Sequence, residues 1–196
     1  PIFYIYNLEC LSASEQDAFI NVADRCGEAV CRITEADLDK TVEECLATLV
    51  PLDMTAYRAE PQQEGIPFLL MDIDDLEIDP FLAQMRKHKV RIGHKCMVTE
   101  KNRRWKVQKL IGDVAEEHAM MTQLMTLQQM LEAAKDFKQE DYNPLLWMTF
   151  EQKKQAAQDL LEHVGKAPIS IEVIQATTKD LNQAVMALIV SRGGHS

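Results

Sequence analysis

Two stretches of the sequence are rich in side chains that commonly take part in catalysis or ligand binding. Asp72, Asp74 and Asp75 follow the apolar run 68–71, and carboxylates at the end of a buried strand can supply a nucleophile, a general acid or ligands for Mg²⁺. The stretch Thr99–Trp105 contains a hydroxyl, an amide, a lysine and two arginines, which are donors suited to phosphate or carboxylate. The elements that position these side chains decide which chemistry is open to them.

The acidic stretch resembles the first motif of the haloacid dehalogenase-like phosphotransferases, in which an apolar strand ends in Asp-x-Asp. That resemblance implies Asp72 as the nucleophile and Asp74 as the general acid. Asp113, which would stand for a later metal-binding motif, follows Asp72 by only about 40 residues, too few for the strands that such a fold needs. We therefore predict that these acids occupy a helix N-terminus, where the helix dipole favours negative charge, and we predict no catalytic residue.

The basic stretch is the better candidate for a site. It lies between a predicted strand end and a predicted helix start, where backbone N–H groups and the helix dipole attract anions. The predicted anion-binding residues are Thr99, Lys101, Asn102, Arg103, Arg104 and Trp105. A purely structural role stays open beside this one: Thr99 or Asn102 caps the helix, Trp105 packs on its first turn, and the basic side chains form a solvated face.

The cysteine and histidine pattern predicts neither a metal site nor a cofactor. His94 and Cys96 point to one face of a predicted strand, but two ligands do not make a zinc site. The five cysteines are odd in number and include no Cys-x-x-Cys pair, which argues against a disulfide framework and favours thiols in a reducing compartment. With no recognisable signal peptide and no apolar run of about 20 residues, we expect a cytoplasmic protein, although a processed precursor would look the same.

The charges are divided sharply along the chain. The net charge is −10, and residues 1–80 hold 18 acidic side chains against four basic ones. Residues 86–109 reverse this balance, with ten basic side chains and one acidic residue, Glu100. The overall acidity argues against a nucleic-acid partner, whereas the local basic block suits a small anionic ligand or another protein.

The hydrophobic pattern predicts an α/β domain followed by helices. Apolar runs at 2–6, 29–33, 68–71 and 96–98 predict strands, and amphipathic stretches between and after them predict helices. The order strand, helix, strand, helix occurs twice, in copies at 1–49 and 66–119 joined by a linker at 50–65, so we predict a duplicated unit with a small, mostly parallel sheet. Residues 120–196 are predicted to form a three-helix bundle. The helical pattern that enters it, from about Arg104 to Phe137, fits either one long helix or two helices with a break near residues 118–120.

The second copy resembles a bacterial family known as domain of unknown function 3783. The residues that carry the resemblance are Val98 and Thr99 at a strand end, then Asn102, Trp105 and the closing pair Glu117-His118. The resemblance implies a bacterial origin and no particular reaction.

The last part of the chain, from about Leu124 to Val190, resembles a FIVAR module, a three-helix bundle found mostly in bacterial surface proteins. Residues 141–144 (Asp-Tyr-Asn-Pro) and Trp147 carry this resemblance, together with the apolar positions of the last helix. It implies a spacer or adhesive unit.

These observations favour a non-enzymatic regulatory or protein-interaction module. Two alternatives stay open. The first is a binder or small enzyme acting on an anionic metabolite at Thr99–Trp105. The second is an exported adhesive or spacer module.

Overall fold

A computed structural model describes residues 1–55, 59–62 and 64–193. The chain divides into two compact units, Pro1–Glu116 and Glu117–Ser196. The first unit contains the sheet, and the second is helical. The class predicted from the sequence, α/β followed by α, is confirmed.

The sheet has four short strands in the order β2-β1-β3-β4. Their bounds are Ile2–Tyr6 for β1, Ala29–Ile33 for β2, Phe68–Asp72 for β3 and His94–Met97 for β4. β1 pairs with β2 and β3 pairs with β4 in parallel, as expected for strands joined by a helix. The two copies meet at β1 and β3, which are antiparallel with Tyr4 opposite Leu70.

Six α-helices accompany the strands in the described residues. They are α1 Ala13–Cys26, α2 Val42–Thr48, α3 Asp75–Lys87, α4 Val107–Ala134, α5 Pro144–His163 and α6 Ile171–Gly193. The boundary between the two units falls within α4. None of these helices is long and apolar enough to cross a lipid bilayer.

Alternating strand residues face two separate cores, as the period of two requires. On one face Phe3, Ile5 and Leu69 are buried together with Phe19 of α1 and Phe81 of α3. The rings of Phe3 on β1 and Phe81 on α3 stack with centroids 4.4 Å apart, so that a helix of the second copy packs on a strand of the first. The sheet is therefore covered by α1 and α3 on this side.

The opposite face of the sheet is covered by α2 and the start of α4. Tyr4 and Leu70 are buried here with Cys45 of α2 and with Val107 and Leu110 of α4. Each face thus receives one helix from each copy, which agrees with the duplication predicted from the sequence.

The helical unit has its own core. It is formed by Leu127 and Leu131 of α4, Phe150 of α5, and Leu181 and Leu188 of α6, all of them buried. Pro144 occupies the first turn of α5, and the Asn143 side chain before it accepts a hydrogen bond from the Leu145 N–H at 2.8 Å.

Some predicted boundaries were wrong by a few residues. The strand expected at 96–98 spans His94–Met97, and the long helix expected from Arg104 to Phe137 begins at Val107 and ends at Ala134. A short 3₁₀ segment, Asn102–Arg104, precedes it. The predicted linker at 50–65 includes positions 56–58 and 63, which lie outside the described residues. At its start, the Leu52 N–H donates to the Val30 carbonyl at 2.7 Å, on the outer edge of β2.

Candidate functional site

The loop after β4 is closed by hydrogen bonds between two of the predicted anion-binding residues. The Thr99 N–H donates to Asn102 Oδ1 at 2.8 Å, and the Asn102 N–H donates back to Thr99 Oγ1 at 3.1 Å. Asn102 Nδ2 also donates to the Met97 carbonyl at the end of β4, at 2.9 Å. Asn102 is almost fully buried, so its side chain holds the strand end to the 3₁₀ segment rather than facing a ligand.

The backbone donors of this loop are largely used within the chain. The N–H of Arg103 donates to the Thr99 carbonyl at 3.1 Å, and that of Trp105 donates to the Asn102 carbonyl at 3.1 Å. With the N–H groups of Thr99 and Asn102 also occupied, four backbone donors of the stretch Thr99–Trp105 already have partners. An anion bound here would depend mainly on side chains.

The start of α4 is occupied by the loop of the first copy. The Val107 N–H donates to the Lys40 carbonyl at 2.9 Å, and the Gln108 N–H donates to the Leu38 carbonyl at 3.0 Å. These are groups that an open helix N-terminus would offer to an anion. The sequence reasoning missed this arrangement because nothing in the local pattern says that the two copies meet at their second loops.

The same loop occurs in the first copy and pairs with the second. Thr34 donates through its N–H to Asp37 Oδ2 at 2.8 Å, which matches the Thr99–Asn102 bond. Val42 donates its N–H to the Trp105 carbonyl at 2.9 Å, in the position equivalent to that of Val107 on Lys40. Loops 34–42 and 99–107 thus exchange equivalent hydrogen bonds, which satisfies the backbone groups that precede both helices.

The basic side chains of this stretch remain on the outside. Lys101, Arg104, Lys106 and Lys109 are exposed, and Arg103 is half-buried with its Nε 3.4 Å from Glu100 Oε1. The Glu100 side chain is 96% exposed, so this ion pair neutralises little of the local positive charge.

Trp105 is in contact range of two of these basic side chains. Its ring packs partly against the core beneath α2 and α4 and is partly exposed. Lys109 Nζ is 3.7 Å from the ring centroid and Lys101 Nζ is 5.6 Å from it, within range of cation–π attraction. We call the group formed by Trp105 with Lys101, Arg103, Arg104, Lys106 and Lys109 the Trp105 surface.

The acidic stretch shows no catalytic arrangement. Asp72 ends β3, and Asp74 immediately precedes α3 without capping it through its side chain. A cavity of about 180 Å³ beside them is also lined by Glu28 and Glu77, so acidic side chains predominate there. Asp113 lies inside α4. Among residues 1–55, 59–62 and 64–193, no three His, Cys, Asp or Glu side chains form a group that could hold a metal ion.

The buried thiols and the buried phenol belong to the core rather than to a reactive site. Burial raises the pKa of the Cys45 thiol to about 11 and also raises that of Cys31. Burial likewise raises the pKa of Tyr4 to about 12, with Cys31 and Asp72 acting in the same direction. These groups are therefore protonated at neutral pH and are poor nucleophiles.

Comparison with known proteins gives one finding. Residues 68–121 match the family model described as Domain of unknown function (DUF3783). No curated protein and no solved structure matches the chain. The matched segment runs from β3 through the Thr99–Trp105 loop into α4, so it contains the whole strand–helix–strand–helix order of the second copy. The predicted resemblance of the second copy to this family is confirmed.

Proposed function

We propose that the chain is a non-enzymatic interaction module whose Trp105 surface docks an acidic segment of a partner protein. The observation that carries this proposal is that the loop contains two sets of groups, one bonded within the chain and one facing solvent. Thr99, Asn102 and most of the backbone donors serve the fold, whereas the basic side chains around Trp105 face outward.

The chemistry of this surface suits a protein segment. Tryptophan and arginine are over-represented among residues that dominate binding energy at protein interfaces. An exposed cluster of like charges also steers an oppositely charged partner and suppresses wrong ones. A peptide with acidic side chains spaced along it can contact several of the basic groups at once.

A small anionic metabolite at the same residues is the alternative. It would need convergent donors, but the N–H groups of Val107 and Gln108 at the helix start already donate to carbonyls of the first copy. The remaining donors are the ends of long, exposed side chains, which lose conformational entropy when they are ordered around a small ion. The partner segment is therefore the occupant that the geometry favours.

The five thiols suit a reducing compartment, which supports a cytoplasmic location for this activity. The three-helix core of the second unit supports a FIVAR-like role for residues 120–196, in which this unit serves as a spacer.

Titration of a short fluorescein-labelled peptide of glutamate and leucine tests the proposal. The double variant Arg103→Glu, Arg104→Glu is expected to weaken binding at least about tenfold, since it replaces attraction by repulsion. The matched control is Lys138→Glu, Lys166→Glu, which changes the net charge equally at two exposed positions of the helical unit. This control is expected to bind within about twofold of the natural chain.

Three results would overturn the proposal. Equal weakening in both double variants would mean that only the overall charge matters. Displacement of the peptide by low concentrations of inorganic phosphate would favour the metabolite alternative instead. In a Trp147→Phe background, Trp105 is the only tryptophan, so its fluorescence must change on peptide binding if the surface is the contact.

A further inference from the structure

A second cavity lies away from the Trp105 surface, between the C-terminal half of α3 and the chain leading into β4. Its volume is about 280 Å³. That is slightly below the range of roughly 300–1,000 Å³ that holds drug-sized ligands, so a smaller organic molecule fits it. The cavity lies within the segment matched by the family model.

The inner wall of this cavity is apolar. Met85, Val90 and Ile92 are at least 95% buried and belong to the core beneath α1 and α3, and Leu82 packs against the same core. The turn that brings this wall together is held by Lys89, whose φ of 60° is left-handed, and by a 2.9 Å hydrogen bond from the Val90 N–H to the Met85 carbonyl. Fixed backbone geometry therefore shapes the wall.

Three basic side chains also line the cavity: Arg86, Arg91 and Lys95. No acidic side chain among the described residues forms an ion pair with any of them. Lys95 is half-buried, and its Nζ donates to the Ile92 carbonyl at 2.9 Å, which holds the ammonium group beside the apolar wall.

The surroundings of Lys95 disfavour its positive charge. Partial burial lowers the pKa of the Lys95 ammonium, and the like charge of Arg86 lowers it further. Both effects reflect a positive charge that is poorly solvated and lies near another one. A carboxylate or phosphate placed among these three side chains would relieve the repulsion and form charge-assisted hydrogen bonds.

We infer that this cavity binds a small amphipathic anion, whose acidic head contacts Arg86, Arg91 and Lys95 and whose short apolar body lies on Leu82, Met85 and Ile92. The site is separate from the Trp105 surface, and its ligand class rests on the pairing of an apolar wall with unneutralised cations. An alkyl carboxylate and an alkyl phosphate share this chemistry.

Isothermal titration calorimetry with the full chain tests this inference. Octanoate and octyl phosphate are the probes, while acetate and octanol supply the head alone and the body alone. Saturable binding of at least one amphipathic probe is expected, about tenfold or more tighter than acetate or octanol. Its heat-capacity change should be negative, because apolar surface is buried.

Variants locate the bound probe. Arg91→Gln and Lys95→Met are each expected to weaken it at least about fivefold, because each removes a charged donor. Lys87→Gln is the matched control, since Lys87 is an exposed cation of the same helix that does not line the cavity. Leu82→Gln should weaken octanoate while leaving acetate unchanged, and the melting temperature of each variant verifies that it is folded.

Binding of neither probe would overturn the inference, as would equal losses in Lys87→Gln and Lys95→Met. Acetate binding as tightly as octanoate would also overturn it, since the apolar wall would then play no part. The Arg103→Glu, Arg104→Glu variant is expected to bind octanoate normally, so failure of one proposed site is distinguishable from failure of the other.

Discussion

Asp37 and Asn102 each accept a hydrogen bond of 2.8 Å from the backbone N–H of the threonine three residues earlier, in matching positions of the two copies. Both side chains are buried at the end of an outer strand. The two residues differ in their second partners: Lys40 Nζ donates to Asp37 Oδ1 at 2.8 Å, whereas Asn102 Nδ2 donates to the Met97 carbonyl. The same loop structure is therefore closed by a carboxylate in the first copy and by a neutral amide in the second.

Asn102→Ala is expected to lower the free energy of unfolding by about 1–3 kcal/mol, because it removes a buried amide and its part-buried hydrogen bonds to the backbone of Thr99 and Met97. Urea denaturation followed by circular dichroism measures this change. Asn182→Ala, at an exposed position of α6, is the control and should stay within about 0.5 kcal/mol of the natural chain. Similar losses in both variants would contradict a structural role for the Asn102 amide.

Asp37→Asn should preserve the fold, because Asn102 fills the equivalent position in the second copy. Burial alone would raise the pKa of Asp37, but hydrogen bonds from Lys40 and Thr34 outweigh it and hold the pKa below its usual 3.8. The stabilisation from the ionised carboxylate is therefore complete above that pH and is lost as the pH falls through the folded-state pKa.

The measurement is the urea midpoint of Asp37→Asn and of the natural chain between about pH 7 and pH 3. The difference between the two is expected to be largest near neutral pH and to shrink in acid, below the ordinary pKa of aspartate. A difference that is constant over this range would show that Asp37 ionisation does not stabilise the loop.

Gly27→Ala is expected to destabilise the chain by about 1–3 kcal/mol through overpacking. A Cβ at this position would overlap the Phe3 ring and approach the Pro1 carbonyl oxygen to 3.0 Å, and the Phe3 ring is held by its stacking on Phe81. Gly112→Ala is the matched control. Its Cβ would meet open space within α4, so a gain of about 0.5–1 kcal/mol is expected there. Thermal unfolding measures both changes in stability. A change of the same sign in the two variants would contradict the predicted clash at Gly27.

Cys31 and Cys45 should resist alkylation in the folded chain, since both thiols are buried and have raised pKa values. Iodoacetamide at about pH 8, followed by peptide mass spectrometry, is expected to modify them only after denaturant is added. Cys26, which is partly exposed, provides the internal comparison in the same sample. Modification of Cys45 at the rate of Cys26 would show that this core opens readily.

The strands of the core were predictable because their apolar runs are continuous. Ile2–Tyr6 and Ala29–Ile33 appear in the structure with the expected bounds, and β3 differs by one residue. β4 was displaced because His94 and Lys95, at the sheet edge and only half-buried, lack the apolar signal on which the prediction depends. The antiparallel pairing of β1 with β3 is a long-range contact that local patterns do not encode.

The candidate site was predictable in its residues but not in their surroundings. The spacing of Thr99 and Asn102 predicted a capping role or an anion site, and the hydrogen bonds describe a loop that closes on itself. The carbonyls of Leu38 and Lys40 that occupy the start of α4 come from the other copy. The second cavity was not predicted, because in the sequence Arg86 and Lys95 are indistinguishable from ordinary surface charges. Only the tertiary structure places them beside the wall formed by Met85 and Ile92.

The exchange of hydrogen bonds between loops 34–42 and 99–107 also bears on the ancestry of the molecule. A chain with a single copy would leave the groups before its second helix unpaired and the edge of its first strand open. Two such chains would satisfy these groups by associating about a two-fold axis. Fusion into one chain turns that dimer contact into an intramolecular one, which no longer depends on protein concentration. It also frees each half to evolve separately, and the basic side chains of the Trp105 surface lie in the second half.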